Sequence, residues 1–145
     1  MSNVVIFASG SGSNAENIVN FLKNDKRDQV VGIFVNRPDA YVLERAKKLQ
    51  VPAFVFNREM FYETDQLLEA LDNLEVDLIV LAGFLWKIPE NLLAAYPDRI
   101  INIHPALLPA YGGKGMYGMK VHEAVIAAGE EGSGITIHYV NENYD

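Results

Sequence analysis

Unbroken apolar runs alternate with stretches of helical period along the whole chain, and this alternation defines the elements it predicts. Val4–Ala8 is a strand-like run, followed by the turn-forming SGSGSN. From Ala15 the period becomes helical, with Ala15, Ile18 and Leu22 on one face and Phe21 beside them. Ser13 and Glu16 have capping-box spacing at its start. Val30–Val35 is a second buried strand, after which Asp39 is placed to cap a helix carrying Leu43, Ala46 and Leu49. A short strand Ala53–Phe56 follows Pro52, then a helix with Leu67, Leu68, Leu71 and Leu74. Leu78–Ala82 is the most apolar strand and ends at Gly83. A short helix around Pro89–Tyr96 leads into strand Ile100–His104; Val121–Ala128 predicts a helix and Gly134–Val140 a last strand. Continuously apolar strands alternating with helices imply a doubly wound α/β fold, a mostly parallel sheet covered by helices on both faces.

Such a sheet binds ligands outside the carboxyl ends of its strands, near the point where strand order reverses. Three unusual stretches fall at such ends: SGSGSN after the first strand, GFLWK after the fourth and NIHP at the close of the fifth.

The glycines of Ser9-Gly10-Ser11-Gly12-Ser13-Asn14 let the backbone turn tightly before a helix. Exposed N–H groups and the helix dipole there favour a phosphate, although Gly and Ser are also common in plain βα turns. Gly10, Gly12 and Ala15 also match the loose dinucleotide fingerprint G-x-G-x-x-A. That fingerprint expects an acidic residue at the end of the second strand, where this chain has Asn36-Arg37. An NADP-binding module with Arg37 on the 2′-phosphate is therefore the runner-up.

In NIHP, Asn102 and His104 share one face by the strand period of two, and Pro105 biases His104 to extended backbone. An amide donor beside an imidazolium is chemistry for a developing oxyanion, as in acyl transfer. His122 reads as a solvated or capping residue, and His138 as structural support near Thr136. The three histidines lack metal-ligand spacing, so no metal is expected. Phe84 and Trp86 read as wall, and Glu130-Glu131 as a solvated turn.

Composition narrows the partners. At 145 residues, 50% hydrophobic and 21% charged, the chain fits one globular domain. It has no cysteine, which excludes thiol nucleophiles, disulfides and Cys-based zinc sites. No apolar run approaches the roughly 18–20 residues of a membrane span, and the start lacks a basic leader, so a cytoplasmic location is expected. A net charge of −7 disfavours nucleic acid and points to a small-molecule partner.

With SGSGSN, LAGFLWKIP and NIHPALLPAYGG in this order, the chain resembles the phosphoribosylglycinamide formyltransferases, a branch of the formyltetrahydrofolate-dependent formyltransferase family. The resemblance runs from Met1 to Asp145 and implies that family's Rossmann-like, three-layer fold. It implies transfer of a formyl group from 10-formyltetrahydrofolate to the amine of glycinamide ribonucleotide, with the chain acting as a monomer or homodimer. By the resemblance, Gly12, Ser13 and Asn14 hold the substrate phosphate, and Asn102, His104 and Asp145 are the catalytic group. Leu85, Trp86, Lys87 and Ile88 line the folate pocket, with Asn102 and Arg58 as further folate contacts. The loop Lys114–Val121 is longer than in many members, and nothing is carried over to it. Members continue some tens of residues past the terminal Asp, so a single catalytic domain lacking its C-terminal portion is expected. Formyltetrahydrofolate deformylase is the hydrolase alternative. The tRNA formyltransferase would want basic surface, against the charge of −7.

Overall fold

The computed structural model describes residues 2–104 and 136–139, with His104 and 136–139 as backbone only. Among the described residues six strands form one sheet: β1 Ser2–Ala8, β2 Asp28–Val35, β3 Ala53–Val55, β4 Leu78–Leu81, β5 Ile100–His104 and β6 Thr136–Tyr139. Their spatial order is β3-β2-β1-β4-β5-β6. β1 to β5 are parallel, and β6 returns antiparallel along β5. The helices are α1 Ser13–Leu22, α2 Val42–Leu49, α3 Arg58–Tyr62, α4 Gln66–Asn73 and α5 Glu90–Ala95. The expected helix Val121–Ala128 lies outside the described residues.

Strand alternation divides the core in two. Val4, Ile6 and Ala8 of β1, with Ile33 and Val35 of β2, pack against Ala15, Val19, Val42, Ala46 and Leu49 of α1 and α2. On the other face Val5, Phe7, Phe34, Ile79 and Leu81 pack against Phe61 of α3, Leu67 and Leu71 of α4, and Leu92 of α5. The first layer is aliphatic; the second is aromatic, with Phe7 stacked on Phe34 at 5.3 Å between ring centroids. Both faces of the central strands are thus buried, as their unbroken apolar runs require.

Two expected caps do not form. α1 begins on Gly12, in the left-handed region at φ 79°, with no side-chain cap. Ser13 lies already inside the helix, one residue past the capping position, and Glu16 pairs with Arg45 instead. α2 begins on Tyr41 rather than behind Asp39, which pairs with Arg37 at 3.4 Å. The first N–H of α2, that of Val42, donates to the Gly10 carbonyl at 3.0 Å, so the neighbouring loop supplies an acceptor there. Helix α3 has no counterpart in the periodicity reading; Asn57 caps it by accepting from the Met60 N–H at 2.9 Å. Phe21, placed beside the apolar face of α1, is 78% exposed.

Candidate functional site

β1 connects to β2 on one side, while β4 lies on its other side, so strand order reverses between β1 and β4. The carboxyl ends of these two strands frame the crevice where this topology takes ligands. The loop after β1, the loop after β4 and the end of β5 therefore share one edge of the sheet, as the motif order anticipates.

Ser9 joins the first two. It is buried, its N–H donates to the Gly83 carbonyl at 3.2 Å, and its hydroxyl accepts from the Leu85 N–H at 2.9 Å. The two loops are thereby fastened together at the floor of the crevice.

Gly12 is required twice over in the first loop. Its φ of 79° is costly for a residue with a side chain, and an added Cβ would sit 2.3 Å from Val42 Cγ2. The Glu16 N–H donates to its carbonyl at 2.8 Å, which starts α1. Ser13 is exposed and Asn14 half-buried at the amino end of this helix, where backbone N–H groups and the dipole favour an anion. On the far side of the loop, Arg45 donates through Nε to the Ser11 carbonyl at 2.6 Å and through a terminal nitrogen to Glu16.

These contacts weigh against the dinucleotide reading. The close approach that demands glycine at position 12 is to Val42. At the end of β2, Asn36 is buried and Arg37 is exposed and occupied by Asp39. Among the described residues the side chain of Asn36 meets no hydrogen-bond partner.

The loop after β4 carries an aromatic wall. Trp86 meets Phe56, Phe61, Tyr62 and Phe84 with ring centroids 5.8–6.4 Å away. The Arg58 guanidinium lies over Trp86 at 4.6 Å from its centroid and over Tyr62 at 6.0 Å. The Tyr62 hydroxyl donates to the Lys87 carbonyl at 2.6 Å. Of the four loop residues singled out, Leu85 and Lys87 are exposed, Trp86 is half-buried and Ile88 is turned into the aromatic core. Arg58 and Trp86, distant in sequence, are thus brought into contact.

Asn102 lies on β5 opposite Leu81 of β4 and His138 of β6 in the backbone register, and is half-buried. His104 ends the same strand opposite Thr136. Asp145, His122, Glu130-Glu131 and the loop 114–121 lie outside the described residues. Among the described residues, no group of three His, Asp or Glu is placed to hold a metal ion, and no helix is long and apolar enough to cross a membrane.

Periodicity alone overlooked Ser9 and Arg45. Arg45 left a signal, because it interrupts the apolar stripe of α2 three residues after Val42 and four before Leu49. A cation on a buried stripe needs a partner, and it has two.

A doubly wound sheet with a glycine-bearing helix start, an aromatic wall and a strand-end amide on one edge defines an α/β small-ligand site. The chain belongs to the formyl transferase family, whose model matches residues 2–145. It is 43% identical over 148 residues to the chloroplastic phosphoribosylglycinamide formyltransferase of Arabidopsis thaliana, covering 98% of this chain and 51% of that protein. To the phosphoribosylglycinamide formyltransferase of Bacillus subtilis it is 41% identical over 152 residues, covering 100% of this chain and 74% of that one. The crystal structure of glycinamide ribonucleotide transformylase 1 from Geobacillus kaustophilus superposes with a TM-score of 0.82 at 40% identity. That match covers 100% of this chain and 77% of the other. The chain spans about half the length of the plant relative.

Proposed function

We propose that the chain transfers the formyl group of 10-formyltetrahydrofolate to the primary amine of glycinamide ribonucleotide. The observation that carries this reading is the Ser9 link, which fastens an anion-favouring helix start to an aromatic wall across the switch point. Phosphoribosylglycinamide formyltransferases among its relatives support the same reaction.

In this reading the backbone at Gly12, Ser13 and Asn14 takes the ribonucleotide phosphate. Leu85, Trp86 and Lys87, backed by Ile88 and flanked by Arg58, take the folate. The exposed Leu85 and half-buried Trp86 fit a flat apolar ring system. The amine attacks the formyl carbon, a C–N bond forms, and the carbonyl electron pair moves to oxygen. The Asn102 amide donates to that oxyanion, and protonated His104 balances its charge. In this reading Asp145 is the third member of the catalytic group, a carboxylate partner for the His104 imidazolium. Collapse restores the carbonyl, breaks the bond to the folate nitrogen, and delivers to it the proton lost by the attacking amine.

The test is the absorbance change of folate product, followed with and without glycinamide ribonucleotide. Turnover that depends on the ribonucleotide is expected. Equal turnover without it would make the protein a deformylase.

A further inference from the structure

Two successive carbonyls of the loop after β1 are drawn toward α2. The Gly10 carbonyl accepts from the Val42 backbone N–H at 3.0 Å, and the Ser11 carbonyl accepts from Arg45 Nε at 2.6 Å. In a trans peptide the C=O and the following N–H point in opposite directions. Holding these carbonyls against α2 therefore turns the N–H groups of Ser11 and Gly12 away from it. Among the described residues neither N–H meets a hydrogen-bond acceptor. Consecutive N–H groups ending in a left-handed glycine make an anion-binding nest.

Arg45 is committed to this task. One terminal nitrogen pairs with Glu16 of α1, and the guanidinium lies 5.1 Å over the Tyr41 ring. Its charge is neutralised by Glu16, and its Nε and one terminal nitrogen are engaged at the back of the loop. A direct role as phosphate counter-charge does not fit that geometry. We propose that Arg45 is a positioning residue: by clamping the Ser11 carbonyl it aims the Gly12 N–H at the substrate phosphate. This rests on the reading that the loop holds that phosphate.

The test compares binding of glycinamide ribonucleotide, the dephosphorylated riboside and inorganic phosphate by calorimetry. The wild-type protein is expected to prefer the phosphorylated ligand. Arg45→Met should cut that preference, and the affinity for inorganic phosphate, by about tenfold while riboside affinity changes by less than about twofold. Arg45→Lys keeps a cation beside Glu16 but cannot reproduce the forked geometry, so it should lose most of the preference with its melting temperature retained. It also covers the case of an unfolded Met variant. Equal losses for both ligands, or an unchanged preference in the Lys variant, would overturn the role of Arg45 and leave the functional reading standing. A wild-type protein with no preference for the phosphorylated ligand would overturn both.

Discussion

The hydroxyl of Ser9 and the backbone N–H of Leu85, 76 residues apart, meet at 2.9 Å beneath the crevice. Ser9→Ala leaves that part-buried N–H without its acceptor, at a cost of about 1–3 kcal/mol. We expect the stability loss in a urea melt and a rise in the KM for the folate donor that exceeds any rise for the ribonucleotide. Equal changes in both would mean that the bond serves only the fold.

Gly12→Ala combines a left-handed backbone with a Cβ 2.3 Å from Val42 Cγ2. The backbone term is about 1–2 kcal/mol, and overpacking adds about 1–3 kcal/mol. Val42→Ala added to Gly12→Ala should recover part of the overpacking cost and none of the backbone cost. Denaturation midpoints of the two single variants and the double variant measure the split.

Trp86 is the single tryptophan of the chain, so its fluorescence reports the proposed folate wall alone. Adding a folate analogue should quench it, whereas glycinamide ribonucleotide alone should leave it nearly unchanged. Quenching by the ribonucleotide alone would put the wrong substrate at this wall. Arg58→Met removes the guanidinium from the ring face, a contact worth about 0.5–1 kcal/mol at an exposed site, and should blue- or red-shift the emission of the free protein.

Asn102→Ala removes one oxyanion donor, and turnover should fall about 10²–10³-fold with the fold retained. Far-ultraviolet circular dichroism and steady-state kinetics on the same preparation decide it. Near-normal turnover would sink the role assigned to Asn102.

Tyr96 carries a pKa raised above its ordinary value, chiefly by burial and then by Asp72. The native state thus holds the phenol proton to higher pH than the unfolded chain does. Stability is full below the ordinary tyrosine pKa of about 10 and falls as pH rises through it. Tyr96→Phe should flatten this part of the fall, read as melting temperature against pH from neutral to strongly basic buffer.

The central strands were legible in the sequence because burial on both faces leaves unbroken apolar runs. Ile100–His104 matches β5 residue for residue, since Pro105 closes the run. The site's three stretches were legible because strand ends in a parallel sheet share an edge. Helix α3 was not, because five residues carry too little period to register. The caps misled for another reason. Ser13 and Asp39 have the right chemistry locally, but Arg45 and Gly10, brought near by the fold, took the partners first. The contact of Arg58 with Trp86 depends on the same long-range placement.

The strand order also governs when the sheet can assemble. β1 lies between β2 and β4, and the Asn3 N–H reaches the Asp77 carboxylate 74 residues later. A nascent chain that has made β1 to β3 has one side of β1 open and Phe7 without the β4 face of its core. Folding of the centre therefore waits for residues near 81, and parallel pairing over such separations is slow. Until then Phe7, Phe34 and Phe61 lack the Ile79 and Leu81 side chains that complete their layer.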